Sequence, residues 1–172
     1  MKITSKLIAL ACLAATLLFT SDVKAQTTPA KALNFNIGLE AGVPTGAETP
    51  HGSFELGGTA RLQYGITNSF AVTLTSGVYN FFSKNMPGTD TKYPTLNIIP
   101  LKLGVKAFVA PNFYLAAEGG AAFIERNETT KLDLSPGLGW ANRKWDVGLR
   151  YENFLAPKGN YGIVGLRLAY GF

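Results

Sequence analysis

The sequence predicts an all-β fold, an eight-stranded antiparallel up-and-down transmembrane β-barrel. Three observations lead to this prediction. Large apolar residues occupy every second position in successive segments, which is the period of strands and not of helices. The segments have close to the roughly 9 to 11 residues that a tilted strand needs to cross a bilayer. There are eight of them, an even number, as antiparallel membrane barrels have.

The first two segments show the alternation most clearly. In residues 33–43, large apolar side chains alternate with glycine, asparagine and glutamate. In residues 53–66, the apolar positions alternate with polar ones that include Glu55 and Arg61. Residues 67–69 are Thr-Asn-Ser, which is typical of a tight turn. These two segments therefore predict a pair of neighbouring antiparallel strands.

The third and fourth segments repeat the pattern around a longer connection. Residues 70–81 set large apolar side chains against threonine, alanine and glycine. Residues 84–90 are polar and contain the Pro-Gly pair of a turn. Residues 96–108 set branched aliphatic side chains against a proline, a glycine and two lysines, before the Pro-Asn turn at 111–112.

The last four segments have the same period. A charged loop follows the fifth segment, and the short turn Asn142-Arg143-Lys144 joins the sixth to the seventh. The predicted strands span residues 113–123, 132–141, 145–152 and 161–172.

Residues 1–25 differ in composition from the rest and predict a cleaved signal peptide. Two lysines open this segment, an apolar run extends from Leu7 to Phe19, and small residues lie at the cleavage position, ending at Ala25. The run has 13 residues, whereas a transmembrane helix needs roughly 20. We therefore expect a secreted protein and not a helically anchored one.

The mature part, residues 26–172, has the composition of one ordered domain. The whole chain is 47% hydrophobic, 12% aromatic and 16% charged, with 19 glycines among 172 residues. Its only cysteine, Cys12, lies in the predicted signal peptide, so we expect no disulfide. Without the charges of residues 1–25 the net charge falls from +5 to +3, which is too small to indicate nucleic acid as a partner.

The alternation alone does not say which face meets lipid, because a soluble ligand-carrying barrel alternates as well. The charged residues share a face with the glycines, and small residues suit a narrow lumen. We therefore predict that the large apolar side chains face lipid, where a closed barrel satisfies every backbone hydrogen bond. The charged residues predicted to face the lumen are Glu40, Glu55, Arg61, Lys102, Lys106, Glu118, Asp133, Asp146, Arg150, Glu152 and Arg167.

The connections and the aromatic residues orient the barrel. Connections after strands two, four and six are short, and the others are longer and more polar, as expected for periplasmic turns and external loops. Aromatic residues gather near both ends of the strands, as membrane girdles require. We expect a periplasmic girdle of Tyr64, Phe70, Phe113, Trp140, Trp145 and Tyr170, with Phe54, Phe123 and Tyr151 near the external rim.

Residues 145–152 (WDVGLRYE) and 164–172 (VGLRLAYGF) resemble the outer membrane protein β-barrel domain family, the small barrels similar to OmpX and the OmpA transmembrane domain. The resemblance covers essentially the whole mature chain. It implies a bacterial outer-membrane location, with outer-membrane lipid and the barrel assembly machinery as partners. It also implies that Tyr170 and Phe172 form the signal that this machinery reads. We expect a monomer, and no external partner is identified.

An eight-stranded barrel has an interior that side chains just fill. Acidic and basic residues that share this interior should pair, because a buried unpaired charge is very costly. We therefore predict a salt-bridged lumen without a continuous pore. The function that follows is a non-enzymatic, envelope-structural or surface-interaction role, with a narrow channel as one alternative.

The second alternative is an enzyme that modifies outer-leaflet lipid such as lipid A. Some eight-stranded barrels do so with a histidine, a serine and a carboxylate at the outer rim. The lone histidine, His51, lies in the first predicted external loop near Ser53 and Glu55, and Asp90 lies on another loop. Since sequence proximity shows no geometry, we predict no catalytic residue. One histidine and no mature cysteine also predict no metal site, and we expect no cofactor.

Overall fold

A computed structural model describes residues 29–45, 52–83, 96–125, 129–155 and 161–172 of the chain. Eight strands form one closed barrel, each pairing antiparallel with its neighbours in sequence, and the last pairing with the first. The predicted fold class is therefore confirmed. The strands are β1 Leu33–Thr45, β2 Gly52–Gly65, β3 Phe70–Ser83, β4 Leu96–Ala110, β5 Phe113–Ile124, β6 Thr129–Ala141, β7 Trp145–Leu155 and β8 Tyr161–Gly171.

Several strands extend further toward the longer connections than the alternation predicts. β3 and β7 continue to Ser83 and Leu155, and β6 already begins at Thr129. The regular alternation of apolar and polar residues ends earlier, since Phe154 of β7 is apolar but fully buried on the inner face. The strand ladder needs only backbone pairing, so it continues where the side-chain pattern stops.

Burial alternates along each strand, with the large apolar side chains outside. Leu39 and Leu103 are each 68% exposed, whereas the adjacent Glu40 and Lys102 are 2% and 0% exposed. This distribution is the reverse of that in a water-soluble protein. An apolar outer wall around a polar interior is typical of a barrel that lies in lipid.

The three short connections are compact turns. In residues 142–144, the Asn142 side-chain oxygen accepts hydrogen bonds from the backbone N–H groups of Lys144 and Trp145, at 2.8 and 2.7 Å. Asn112, between β4 and β5, has a φ of 66°, a conformation that asparagine tolerates better than most residues. These turns place the β2, β4 and β6 ends at one rim, which we call the turn side, and the opposite rim is the loop side.

Within the described parts of the chain, no helix has the length and hydropathy that crossing a membrane requires.

Candidate functional site, the barrel interior

All eleven charged residues that the alternation placed on the inner face lie inside the barrel, and none is more than 8% exposed. They come from seven of the eight strands, all except β3, so only closure of the sheet brings them together. The interior is therefore the place where polar chemistry concentrates in the described residues.

Asp146 lies near the turn side and is shared by three cations. Its Oδ2 atom lies 2.6 Å from Lys106 Nζ, 3.7 Å from Arg61 Nη1 and 3.6 Å from Arg167 Nη1. The Tyr114 hydroxyl donates a hydrogen bond to Oδ1 at 2.6 Å. Charge-assisted hydrogen bonds of this length are among the stronger ones in proteins.

Glu118 of β5 is paired on the other side of Arg61. The Arg61 Nη2 atom lies 2.8 Å from Glu118 Oε1. The hydroxyls of Thr73 and Thr75 donate to the same oxygen at 3.2 and 2.9 Å, and Arg61 Nε donates to Thr75 at 2.9 Å. The threonines that alternate along β3 therefore provide hydrogen-bond partners for the ion pair.

Glu40 of β1 joins the arginines of β7 and β8. It forms ion pairs with Arg150 and, at 3.2 Å, with Arg167. The Thr59 hydroxyl donates to Glu40 Oε1 at 2.6 Å, and Arg167 Nη2 donates to Asn36 Oδ1 at 2.6 Å. The contacts of the two arginines with Glu40 and Asn36 cross the seam at which the last strand closes on the first.

Tyr79 and Glu152 connect the remaining charges nearer the loop side. Glu152 pairs with Lys102 and, at 2.8 Å, with Arg150, and Asp133 lies 3.4 Å from Lys102 Nζ. The Tyr79 hydroxyl accepts hydrogen bonds from Arg150 at 2.7 Å and from Lys102 at 3.1 Å. It lies 3.2 Å from Glu152 Oε1, to which it donates.

Together these pairs link ten of the eleven charged residues into one connected network, which we call the lumen network. The exception is Glu55, which is 2% exposed and forms no ion pair with another described residue. Paired charges in a low-dielectric interior hold one another in place, and removal of one leaves its partners uncompensated.

Inner-face glycines make room for the tyrosines of the network. A Cβ atom added at Gly148 would lie 2.6 Å from the Tyr114 hydroxyl, and one at Gly139 would also overlap that side chain. A Cβ atom added at Gly57 would likewise overlap the ring of Tyr79. The sequence shows a glycine-rich inner face, but it does not show which large side chains occupy the space.

Apolar side chains pack together inside both ends of the barrel, which the sequence analysis did not anticipate. The turn-side cluster consists of Phe108, Tyr114 and Ala141. The larger loop-side cluster consists of Tyr79, Phe81, Ile98, Ala122, Ile124, Phe154, Tyr161 and Ile163. A signal was present, since these strand ends place apolar residues at inner positions where the rest of each strand is polar.

Two small cavities lie among the inner side chains of the described residues. A cavity between the lumen network and β6 and β7 measures about 20 Å³, and one at the turn-side mouth measures about 10 Å³. A cavity of roughly 10 to 15 Å³ accommodates a single water molecule. These two cavities are therefore each of the size of about one water molecule.

The aromatic residues at the turn-side rim form a chain across the closing seam. Trp145 and Tyr170 have ring centroids 5.2 Å apart, Tyr170 and Phe172 5.3 Å, and Phe172 and Phe35 6.2 Å. At the loop side, Phe54 and Phe82 lie 6.5 Å apart. The girdle thus includes Phe35 and Phe82, which the sequence analysis did not assign to it.

The residues of the alternative lipid-modifying site do not assemble within the described part of the chain. His51 and Asp90 lie outside the described residues, and Ser53 lies in β2. The Glu55 carboxylate lies inside the barrel and not at an exposed rim. Within the described residues, no three histidine, cysteine, aspartate or glutamate side chains are placed to hold a metal ion.

The apolar outer wall, closed antiparallel sheet and charged interior define a transmembrane β-barrel of eight strands. The chain matches no protein-family model and no curated protein in sequence. Its similarity to known proteins is a similarity of structure.

The crystal structure of Ail, the attachment invasion locus protein of Yersinia pestis, gives a TM-score of 0.58 at 14% identity, covering 81% of this chain and 97% of that chain. The backbone structure of the same outer membrane protein in a phospholipid bilayer nanodisc gives 0.55 at 14% identity, covering 80% and 99%. A de novo designed transmembrane β-barrel gives 0.53 at 14% identity, covering 84% and 98%. The chain therefore has the fold of the small eight-stranded outer-membrane barrels.

Proposed function

We propose that this protein is a non-enzymatic barrel of the bacterial outer membrane whose filled lumen makes it a structural component of the envelope, with its loops available for surface interactions. The observation that supports this most directly is the lumen network, which runs between two buried apolar clusters. An interior held by ion pairs, with apolar side chains packed inside both ends, favours a rigid wall element over a conduit. The fold, shared with the outer membrane protein Ail, supports the location.

Conductance measurements test the closed lumen. We expect the purified, folded barrel to give no discrete conductance steps in planar lipid bilayers. As a positive control, a variant with Lys102→Ser, Arg150→Ser and Glu152→Ser should leak, because these three large side chains pair with one another inside the lumen. Folding of both proteins is checked by heat-modifiable gel migration. Large, ion-selective steps from the unaltered protein would favour the channel alternative and contradict this proposal.

Lipid analysis tests the non-enzymatic part. The protein is expressed in a host that lacks outer-membrane lipid A acyltransferases and deacylases. Lipid A is then extracted, and the masses of its species are measured by mass spectrometry. We expect an unchanged acylation pattern. A mass change that disappears with His51→Ala would instead establish the enzyme alternative.

We also propose that residues 1–25 are removed on secretion and that the barrel assembly machinery recognises the C-terminal strand through Tyr170 and Phe172. Phe172 is 74% exposed on the outer face, where an assembly factor has access to it. Phe172→Ser should lower the folded, membrane-inserted fraction in cells. Phe113→Ser, which alters another exposed aromatic at the turn-side rim, should not. Equal losses for the two variants would point to a general effect of the girdle.

The protein surrounded by lipid is expected to be a monomer. The outer wall carries apolar side chains around the whole circumference of the barrel, and none of them needs a protein partner in hydrocarbon. Sedimentation analysis in detergent of matched density should give the mass of one chain with its bound detergent. A stable dimer mass would contradict this part of the proposal.

A further inference from the structure

We propose that the turn side of the barrel binds the phosphate group of an anionic phospholipid, at the seam where β8 closes on β1. The side chains that bind it are those of Lys31, Arg143 and Lys144, all of which are exposed. The inference rests on the membrane location proposed above, and it adds a class of lipid that this surface recognises.

The exposed charges are divided between the two rims of the barrel. Four charged side chains are exposed among the described residues, and three of them are the turn-side cations. The fourth, Glu125, follows β5 at the loop side. Lys131, at the loop side as well, is half-buried and lies over the ring of Tyr161. Within the described part of the chain, the turn-side rim is therefore the positive one.

The three cations flank one sector of this rim. The Lys144 carbonyl accepts a hydrogen bond from the N–H of Gly171 at 2.7 Å, which places the turn between β6 and β7 against the end of β8. Lys31 lies two residues before β1, the strand on the other side of β8. The other two turns, residues 67–69 and 111–112, contain no charged residue. The positive charge is thus concentrated where β7, β8 and β1 meet.

The three cations form no ion pair with another described residue. Asp146 lines the turn-side mouth together with Arg143 and Lys144, but it is already shared by three cations of the lumen network. A terminal carboxylate at Phe172 lies at the same seam, so three cations against one anion leave the sector a net charge of +2. Such a surface attracts an anionic headgroup, whereas a zwitterionic lipid brings no net charge.

An aromatic row on the outer wall lies in the same sector. The rings of Trp145, Tyr170, Phe172 and Phe35 follow one another across the seam, with centroids 5.2, 5.3 and 6.2 Å apart. Aromatic belts lie at the level of the lipid headgroups, so the neighbouring basic side chains reach the phosphate groups. Because rings for an acyl chain adjoin cations for a phosphate here, we expect a phospholipid and not a free phosphate ion.

Brominated lipids test the site through Trp145. The chain has two tryptophans, so Trp140→Phe leaves Trp145 as the only one. The protein is folded into phosphatidylcholine vesicles that contain a small fraction of brominated phosphatidylglycerol or, separately, of brominated phosphatidylcholine. We expect phosphatidylglycerol to quench as if it were enriched about fivefold beside Trp145, the preference that one basic side chain near an anionic membrane surface provides.

Paired substitutions in this background separate the charges from the rest of the rim. Arg143→Gln with Lys144→Gln should abolish the preference, because Lys31 and the terminal carboxylate then balance. Arg143→Lys with Lys144→Arg keeps both charges and should retain the preference. Lys131→Gln, which removes a cation at the loop side, is the matched control and should also retain it. Heat-modifiable gel migration shows whether each variant has folded.

Three results would overturn the proposal. The first is equal quenching by the two brominated lipids in a folded, inserted protein. The second is a preference that survives Arg143→Gln with Lys144→Gln. The third is loss of the preference in inorganic phosphate, compared with chloride at equal ionic strength, which would assign a site for free phosphate instead. A protein that does not insert into vesicles at all would contradict the membrane location itself.

Discussion

At the residue scale, each arginine of the lumen network is held by more than one acceptor. Arg150 contacts Glu40 on β1, Glu152 on its own strand and the Tyr79 hydroxyl on β3. A side chain that joins three strands fixes their relative positions. Its removal also leaves Glu40 and Glu152 with one cation each, Arg167 and Lys102, and leaves the lumen network with one carboxylate more than it has cations.

We expect Arg150→Met to lower the free energy of unfolding by about 3–5 kcal/mol, because it leaves one uncompensated negative charge among the buried residues of the lumen network. The measurement is urea unfolding in detergent micelles, followed by tryptophan fluorescence. Arg143→Met is the matched control, since Arg143 is exposed in the turn at 142–144, and it should change stability by less than about 0.5 kcal/mol. Similar losses for both variants would show that the ion pairs of Arg150 add no stability.

Tyr79→Phe tests the hydroxyl that accepts from Arg150 and Lys102. The ring stays in contact with Gly57, so only the hydrogen bonds are lost, and stability should fall by about 1–3 kcal/mol. Tyr64→Phe, at a site 41% exposed on the outer wall, should be nearly neutral in the same assay. A neutral Tyr79→Phe would mean that another group takes over the role of the hydroxyl.

At the element scale, the regularity of the barrel wall is interrupted at Pro136. β6 and β7 pair from Leu132 to Leu134 and again from Gly137 onward, but the register omits Ser135 and Pro136. Proline has no N–H to donate to a neighbouring strand, so a ladder weakens where it occurs. In a closed barrel, which has no free edge, the seam between β6 and β7 should be a place of lower local stability.

Pro136→Val should restore a backbone donor at this seam. We expect slower hydrogen exchange at the amides of Tyr151 and Glu152, which lie opposite the gap, and a gain of about 0.5–1.5 kcal/mol in stability from the added hydrogen bond. Leu134→Val is the control, because Leu134 already pairs with Asn153 and also faces outward. Unchanged exchange in Pro136→Val would show that the gap has another cause.

At the scale of the whole molecule, the barrel has its polar residues inside and its large apolar residues outside. This arrangement suits hydrocarbon, which offers no partners for polar groups, and closure of the sheet leaves no unpaired edge. The energetic consequence is that a charge is tolerated in the lumen, where it is paired, but not at the middle of the outer wall.

Leu103→Arg tests this consequence, since Leu103 lies near the middle of β4 and is 68% exposed on the outer face. In lipid bilayers the charge should cost about 2–4 kcal/mol, whereas Asn68→Arg in the turn between β2 and β3 should cost only about 0–1 kcal/mol. Reversible unfolding from liposomes measures both values. Equal costs would place Leu103 outside the hydrocarbon layer.

The amino-acid sequence by itself determined the number of strands, their antiparallel order and the face on which each residue lies. A strand has a period of two, so the pattern is local and each segment, such as residues 33–43, reports its own orientation. Because the number of strands is even and short turns join several of them, an up-and-down barrel is the simplest way to close the sheet. The extra length of β3 and β7 was not predictable in this way, because backbone pairing continues beyond the alternating residues.

Only the tertiary structure decided which inner side chains meet. Asp146 and Lys106 are separated by 40 positions and lie on strands that are not neighbours, so their contact depends on the stagger of strands around the barrel. The same stagger brings Tyr79 into contact with Lys102, Arg150 and Glu152 and gathers the apolar clusters at the two ends of the lumen. Which inner side chains contact one another depends on how the sheet closes and on the register between strands. The alternation along a single strand carries no information about either.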